Sequence, residues 1–309
     1  MTATAAARWT DPVWLSAAHT WIGQRLDALG LTPTGAIEQP HVYPWSTVLR
    51  VPTDAGHVWF KANEDALRHE VVVVSRIAAR RPDVVPPLLA ADEGTGWMLM
   101  SDAGETLRSV IARERDLARW LDVLPRYADV QLDLVDDADE LVARGVPDRR
   151  LAALPAAYAA LVDDIGAEPR FHAATATVAR LCETLAAFGL PETVQHDDLH
   201  DGQVYVRDGQ CLVMDWGDAC ITHPFLTLAV TLDGTIAWGL DDVQNSVDTD
   251  PYRDAYLRPF VERFGGGDLV GAATVARRLG WACRAVNGHV PGDDAATLTR
   301  LRMFLDGHP

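Results

Sequence analysis

The stretch Gln195-His196-Asp197-Asp198-Leu199-His200-Asp201-Gly202-Gln203 is the densest polar cluster in the chain. Asp215 follows twelve residues after Gln203, in Leu212-Val213-Met214-Asp215-Trp216-Gly217-Asp218. Metal-dependent phosphoryl transfer needs a carboxylate beside the attacking hydroxyl and oxygen ligands for a cation that bridges nucleotide phosphates. Asp198, the carboxamide of Gln203 and Asp215 supply such oxygens from one tight loop and the end of the next strand. A cation for the phosphates is also needed. Of the 27 basic residues all but one are arginine, and Lys61 is the exception. Where a generic cation suffices this chain uses Arg, so a retained Lys points to a need for a compact ammonium on a flexible stem. Glu70, nine residues further on, is placed to hold that ammonium. The ordered set Lys61, Glu70, Asp198, Gln203, Asp215 therefore reads as one machinery spread over two parts of the chain.

Two other chemistries use the same cluster. Asp197-Asp198-x-x-Asp201 matches an aspartate-rich motif that gathers Mg²⁺ on a diphosphate. It needs a helix to bring i and i+4 onto one face, whereas Gly202 and Val204-Tyr205-Val206 predict a loop running into a strand. His196-Asp197 also reads as a metal dyad, and His196, Asp198 and His200 as zinc ligands. No further His/Asp pair of suitable spacing accompanies them. Cys182, Cys211, Cys220 and Cys283 stand far apart with no C-x-x-C pair, so they are not expected to converge. His196 is expected to brace the loop through backbone hydrogen bonds. Asp197 and Asp201 are expected to be solvated loop acids without a role.

The elements that must position these residues follow from periodicity. Asp11-Pro12, with apolar residues at Trp14, Leu15, Ala18, Trp21, Ile22 and Leu26, predicts a capped helix ending near Gly30. Thr47–Pro52, a turn at Asp54-Ala55-Gly56 and Val58–Lys61 predict a hairpin with Lys61 near the end of its second strand. Asn63 is expected to cap a helix that contains Glu70 and runs to about Arg80. Leu88–Ala91 and Trp97–Met100 form a second hairpin about Glu93-Gly94-Thr95-Gly96. A polar hinge, Ser101 to Gly104, precedes a stretch that is helical nearly to its end. Its exception is Thr193–Asp215, where short strands flank Arg207-Asp208-Gly209.

Net charge is −17 and the isoelectric point is near 4.8. Nucleic acid is excluded as a partner, because neutralising a phosphate backbone needs a basic stripe. The acid surplus reads as a solvated surface; where it lines a cleft it favours a cationic small molecule. No window approaches the ~18 apolar residues of a membrane span, so no membrane partner is expected. The start of the chain lacks a charged segment followed by a continuous apolar one, and the scattered cysteines fit a reducing compartment, so a cytoplasmic location is expected.

The string HDDLHDGQ resembles the H-x-D-x-x-x-x-N catalytic loop of the aminoglycoside phosphotransferase and choline kinase family. MDWGD resembles that family's metal-binding aspartate segment, and VWFKAN its nucleotide-binding lysine strand. The resemblance runs over roughly residues 33–305. It implies an α+β, two-lobed, protein-kinase-like fold, with a small antiparallel-sheet N-lobe carrying one key helix and a larger, mainly helical C-lobe. Residues 1–32 would be a helical extension, 33–101 the nucleotide-binding lobe, and 102–309 the lobe with the catalytic loop and acceptor site. The implied activity is ATP-dependent transfer of a phosphoryl group to a hydroxyl of a small molecule. Carried over one at a time, Lys61 meets the α- and β-phosphates and Glu70 pairs with it. Asp198 orients and deprotonates the acceptor hydroxyl, while Gln203 and Asp215 hold Mg²⁺. Met100 to Asp102 form the hinge whose backbone meets adenine.

Two departures from the family pattern stand out. Gln203 replaces the usual asparagine and keeps the amide oxygen at one methylene more reach, as in the maltokinase-like branch. It is also the one feature that fits a non-catalytic, pseudokinase-like sensor. No G-x-G-x-x-G loop covers the phosphates; the equivalent turn is Tyr43-Pro44-Trp45-Ser46-Thr47, where Ser46 and backbone N–H groups are expected to serve. The acceptor cannot be read from the sequence, and Trp238, Asp241, Asp242, Trp281 and Arg284 stay unassigned.

Overall fold

A computed structural model describes residues 6–307. The chain forms two compact units: one runs up to Gly104 and regains Leu212–Gly217, the other comprises Glu105–Cys211 and the chain from Asp218 onward.

In the first unit five strands form an antiparallel sheet of order β1-β2-β3-β5-β4. They are β1 (Glu38–Val42), β2 (Ser46–Thr53), β3 (Gly56–Asn63), β4 (Leu88–Asp92) and β5 (Trp97–Ser101). β2 and β3 pair in unbroken register from Ser46↔Asn63 to Thr53↔Gly56, which sets Lys61 opposite Val48 on one side and Met98 of β5 on the other. Helix α1 (Pro12–Leu29) begins where Asp11 accepts the N–H groups of Val13 and Trp14 at 2.9 and 3.0 Å, with Pro12 in its first turn. It ends at Gly30, whose φ of 68° is the left-handed turn that glycine adopts without strain. Its buried face, Ala18, Trp21, Ile22 and Leu26, packs on Leu49, Val51, Val58 and Phe60 of the sheet. Trp14, Trp21, Phe60 and Trp97 meet edge to face or tilted at 5.5–6.4 Å, so removing such a ring costs about 3–5 kcal/mol.

Helix α2 (Glu70–Arg80) opens on four valines after Glu70, all buried. Valine is a mediocre helix former, so burial and not propensity holds this segment helical. The sequence places its start too early. Asn63 ends β3, Asp65–Leu67 form a single 3₁₀ turn, and α2 begins at Glu70 with no side-chain cap. Asn63 is drawn away from capping because its amide is needed by Glu70 itself.

The second unit is mainly helical. Its long helices α3 (Trp120–Asp133), α4 (Asp250–Phe264) and α5 (Leu269–Asn287) surround a short antiparallel pair, β6 (Thr193–Gln195) with β7 (Cys220–Thr222), in the register Gln195↔Cys220. β6 delivers the chain directly into the His196–Gln203 loop. After that loop come β8 (Val204–Arg207), an Asp208-Gly209 reversal with φ of 51° and 78°, and β9 (Gln210–Val213). α5 approaches the chain at Leu226 so closely that a Cβ on Gly280 would lie 2.3 Å from the Leu226 carbonyl oxygen. Only glycine allows that approach, and Arg284 and Asn287 fall four and seven residues later on the same face. Gly280→Ala should therefore cost about 1–3 kcal/mol of stability by overpacking, read by urea unfolding; an unchanged midpoint would mean the helix has slack.

Candidate active site

The expected residues divide between the two units. Lys61, Glu70, Asp215, Ser46, Met100 and Asp102 belong to the first, and Asp198 and Gln203 to the second.

In the first unit, Lys61 on β3 is buried and its Nζ donates to Glu70 Oε1 at 2.8 Å and to Asp215 Oδ1 at 2.6 Å. Burial works against the ammonium, but Asp215 and Glu70 outweigh it and hold its pKa above the usual lysine value. Glu70 is 1% exposed. It also accepts the Trp216 N–H at 3.1 Å, and Asn63 Nδ2 at 2.5 Å. Burial pushes its carboxyl upward against the pull of Lys61. Asp215 has a φ of 60°, a conformation Asp tolerates better than most residues, and its side chain is 49% exposed. One end of this carboxylate is fixed on Lys61 while the side chain still meets solvent. Nearby, Ser46 Oγ lies 3.2 Å from His41 Nε2 in a buried position. Met100 is buried on β5, and Asp102 accepts Trp59 Nε1 at 2.8 Å and the Gly104 N–H at 2.7 Å.

In the second unit a different cation is the organiser. Arg284, 6% exposed in its side chain, reaches Asp198 Oδ1 at 2.9 Å, Asp218 Oδ2 at 3.1 Å and Asp197 Oδ2 at 3.6 Å. Burial opposes its charge, and the three carboxylates outweigh burial. Burial would raise the pKa of Asp198 too, yet Arg284, then His200 and His196, bring it below the ordinary aspartate value. His196 Nδ1 accepts the Asp198 N–H at 3.3 Å, and its own N–H donates to the Tyr127 hydroxyl at 2.9 Å. His200 Nδ1 accepts the Gly202 N–H at 2.9 Å. Both imidazoles thus spend Nδ1 on holding the loop. Gln203 sits half-buried at the end of the turn, its N–H on the His200 carbonyl at 2.9 Å. Asp198 also lines a cavity of about 780 Å³ whose walls include His200, Trp238, Asp242, Trp281 and Arg284.

Three expectations are corrected here. Asp197 is not a solvated acid: it is buried with a φ of 65°, accepts Gln195 Nε2 at 2.8 Å and Asn287 Nδ2 at 3.1 Å, and burial pushes its carboxyl up to about 7. Asp201 is tied by Arg108, whose Nε and Nη2 donate to its Oδ1 at 2.9 and 2.7 Å. Cys220 and Cys283 do converge, with Asp197, because β7 and α5 bring distant positions together. The segment 196–203 is a loop, so Asp197 and Asp201 share no helical face. Arg284, Asp218 and Asn287 were not assigned from the sequence. A signal for two of them was present: Arg284 and Asn287 interrupt the apolar stripe Ala272, Ala276, Leu279, Cys283 of a helix, where a charge needs partners.

Solved structures with this fold include an ethanolamine kinase from Plasmodium vivax (TM-score 0.61, 12% identity, 88% of this chain and 83% of that one). They also include a choline/ethanolamine kinase family protein from Mesorhizobium loti (0.57, 17%, 89% and 85%). A macrolide 2′-phosphotransferase from Brachybacterium faecium is another (0.53, 18%, 89% and 96%). The architecture is that of the protein-kinase-like small-molecule kinases. The model of the phosphotransferase enzyme family matches residues 45–268, and the chain belongs to that family. By that membership it is a phosphotransferase. No curated protein matches the sequence. Among the described residues no helix is long and apolar enough to cross a membrane.

Removing Lys61 strands a buried carboxylate, a change that costs about 3–5 kcal/mol where both partners are buried. Lys61→Met should approach the lower end, because Asp215 is half in water. Glu70→Gln added to it should restore at least ~1 kcal/mol in urea unfolding. A double variant no more stable than Lys61→Met would show that Glu70 carries no charge that needs compensation.

Proposed function

We propose that the chain transfers the γ-phosphoryl group of ATP, as its magnesium complex, to a hydroxyl of a small polar molecule: an amino sugar, sugar, aminoglycoside or amino alcohol. The observation that carries this reading is Lys61 held between Glu70 and Asp215, an ammonium fixed at one end of a carboxylate that stays accessible to solvent. The donor chemistry fits a magnesium ion: a half-exposed aspartate and a carboxamide are hard oxygen ligands. Asp215 and Gln203 would hold it, and bound there it would neutralise charge on the phosphates. Lys61 binds the α- and β-phosphates, positioned by Glu70. Ser46 and its neighbouring backbone N–H groups face the phosphates, and the backbone of Met100 to Asp102 meets the adenine. Residues 33–101 thus form the nucleotide-binding lobe and 102–309 the lobe that takes the acceptor.

Asp198 accepts the acceptor's hydroxyl proton as the hydroxyl oxygen forms its bond to phosphorus. The bond from phosphorus to the β–γ bridging oxygen breaks, and ADP leaves with that electron pair. Arg284 keeps Asp198 ionised and aimed. Four buried, unbridged cysteines support a reducing, cytoplasmic setting.

Asp198→Asn should lower kcat by on the order of 10² or more in an ADP-release assay while leaving the KM for ATP within a few-fold. Near wild-type turnover would remove Asp198 from the role. Arg284→Gln adds a signed pH test. Asp198 works as the carboxylate, so activity falls as pH drops through its pKa, below the ordinary aspartate value of about 4. Without Arg284, burial dominates and the acid limb of kcat/KM should move to higher pH; an unmoved limb would contradict the assigned cause.

A further inference from the structure

The cavity that holds Asp198 is lined by four arginines, Arg108, Arg115, Arg284 and Arg300. Three of them are matched by acids. Arg108 is on Asp201, Arg115 Nη2 donates to Asp241 Oδ1 at 2.6 Å, and Arg284 is shared by Asp197, Asp198 and Asp218. Arg300 is different. It lies half-buried on helix α6 (Asp294–Asp306), donates from Nη1 to the Gly288 carbonyl at 2.5 Å, and makes no ion pair with any described residue.

What sets it apart from other arginines that lack an ion pair is its place in the wall of this cavity, beside Arg284. Its guanidinium sits close to that of Arg284: both approach the position a Cβ on Gly288 would take, at 3.0 Å for Arg300 Nη1 and 2.2 Å for Arg284 Nη1. Burial, and then Arg284, work against its charge, while Asp197, Asp198 and Asp218 favour it from beyond ion-pair distance. An Arg held in a pocket wall with no carboxylate in ion-pair contact keeps donors beyond the one on Gly288 that can meet carboxylate, phosphate or sulfate oxygens.

We propose that Arg300 is a specificity residue that binds an anionic group of the phosphoryl acceptor, so that the substrate is a hydroxyl compound bearing a carboxylate, phosphate or sulfate. This rests on the phosphotransferase reading above and replaces its neutral and purely cationic acceptors with ones that carry an anionic group. The hydroxyl end meets Asp198 and the anionic end meets Arg300 in one cavity, whose volume of about 780 Å³ suits a small molecule. Trp238 and Trp281 offer flat apolar walls to the carbon skeleton between the two ends.

The test uses matched acceptors that differ by one carboxylate: glucose and glucuronate, glycerol and glycerate, ethanolamine and serine, choline and carnitine. ADP release should favour the anionic member. Arg300→Gln should raise the KM for that member on the order of tenfold or more, leave the neutral members within about twofold, and leave the KM for ATP unchanged. Arg300→Lys should keep part of the preference, and it carries the test if Arg300→Gln does not fold. Better turnover of the neutral or cationic members would overturn the assignment. So would a KM change confined to ATP, which would make Arg300 a nucleotide-phosphate contact. If no acceptor is turned over, the phosphotransferase reading fails on its own, and the same pairs are compared by thermal unfolding. A midpoint raised by glucuronate or glycerate but not by glucose or glycerol, and lost in Arg300→Gln, still supports the anion site; equal midpoints overturn it.

Discussion

A cation taken out of water must be surrounded by acids, and each of the two units has a polar cluster built around that constraint. Lys61 in one unit and Arg284 in the other are buried, and each is stable as a cation only because carboxylates converge on it. The convergence does the positioning. Glu70 lies nine and Asp215 154 positions from Lys61 along the chain, and both meet at its ammonium. Asp197, Asp198 and Asp218 are brought to one guanidinium. Much of the remaining structure can be understood as what it takes to hold those two cations in place.

The scaffolding differs between the units. Lys61 is fixed by an uninterrupted β2–β3 register and by an aromatic floor shared with α1, so its stem has strands on both sides. Arg284 is fixed by a helix of small residues that Gly280 allows to press against a neighbouring carbonyl. Close packing on that face sets the height at which Arg284 and Asn287 emerge towards Asp197. The loop carrying Asp198 is held by imidazole-to-backbone bonds at His196 and His200, which leaves the Asp198 carboxylate to Arg284 and the cavity.

The legible part of this protein was the part written in local patterns. Hairpin turns, the capped first helix, the loop-then-strand character of 196–206 and the lone lysine all follow from neighbouring residues. What lay beyond reach depended on distant chain segments meeting. Asp197 looks like a loop acid until Gln195, Asn287 and Arg284 close on it. Cys220 and Cys283 look isolated until β7 and α5 pack. Asn63 has the right chemistry for a helix cap, and its amide is claimed by the buried Glu70 instead. Trp238, Asp242 and Trp281 stand out in the helical part as candidates to face a cleft, and only the fold shows that they line one cavity. Arg284 is the intermediate case, visible as a charge on an apolar helical stripe but without partners that the sequence could name.

The most direct test of the central claim is thermal unfolding of the purified chain with and without MgATP, run beside Lys61→Ala. A ligand at ~100 times its Kd adds about 2.7 kcal/mol, a clear rise in midpoint. The account predicts that rise for the wild type and its loss in Lys61→Ala, each measured against its own ligand-free midpoint. An equal rise in both would contradict the claim that the buried ammonium between Glu70 and Asp215 is where the nucleotide's phosphates bind.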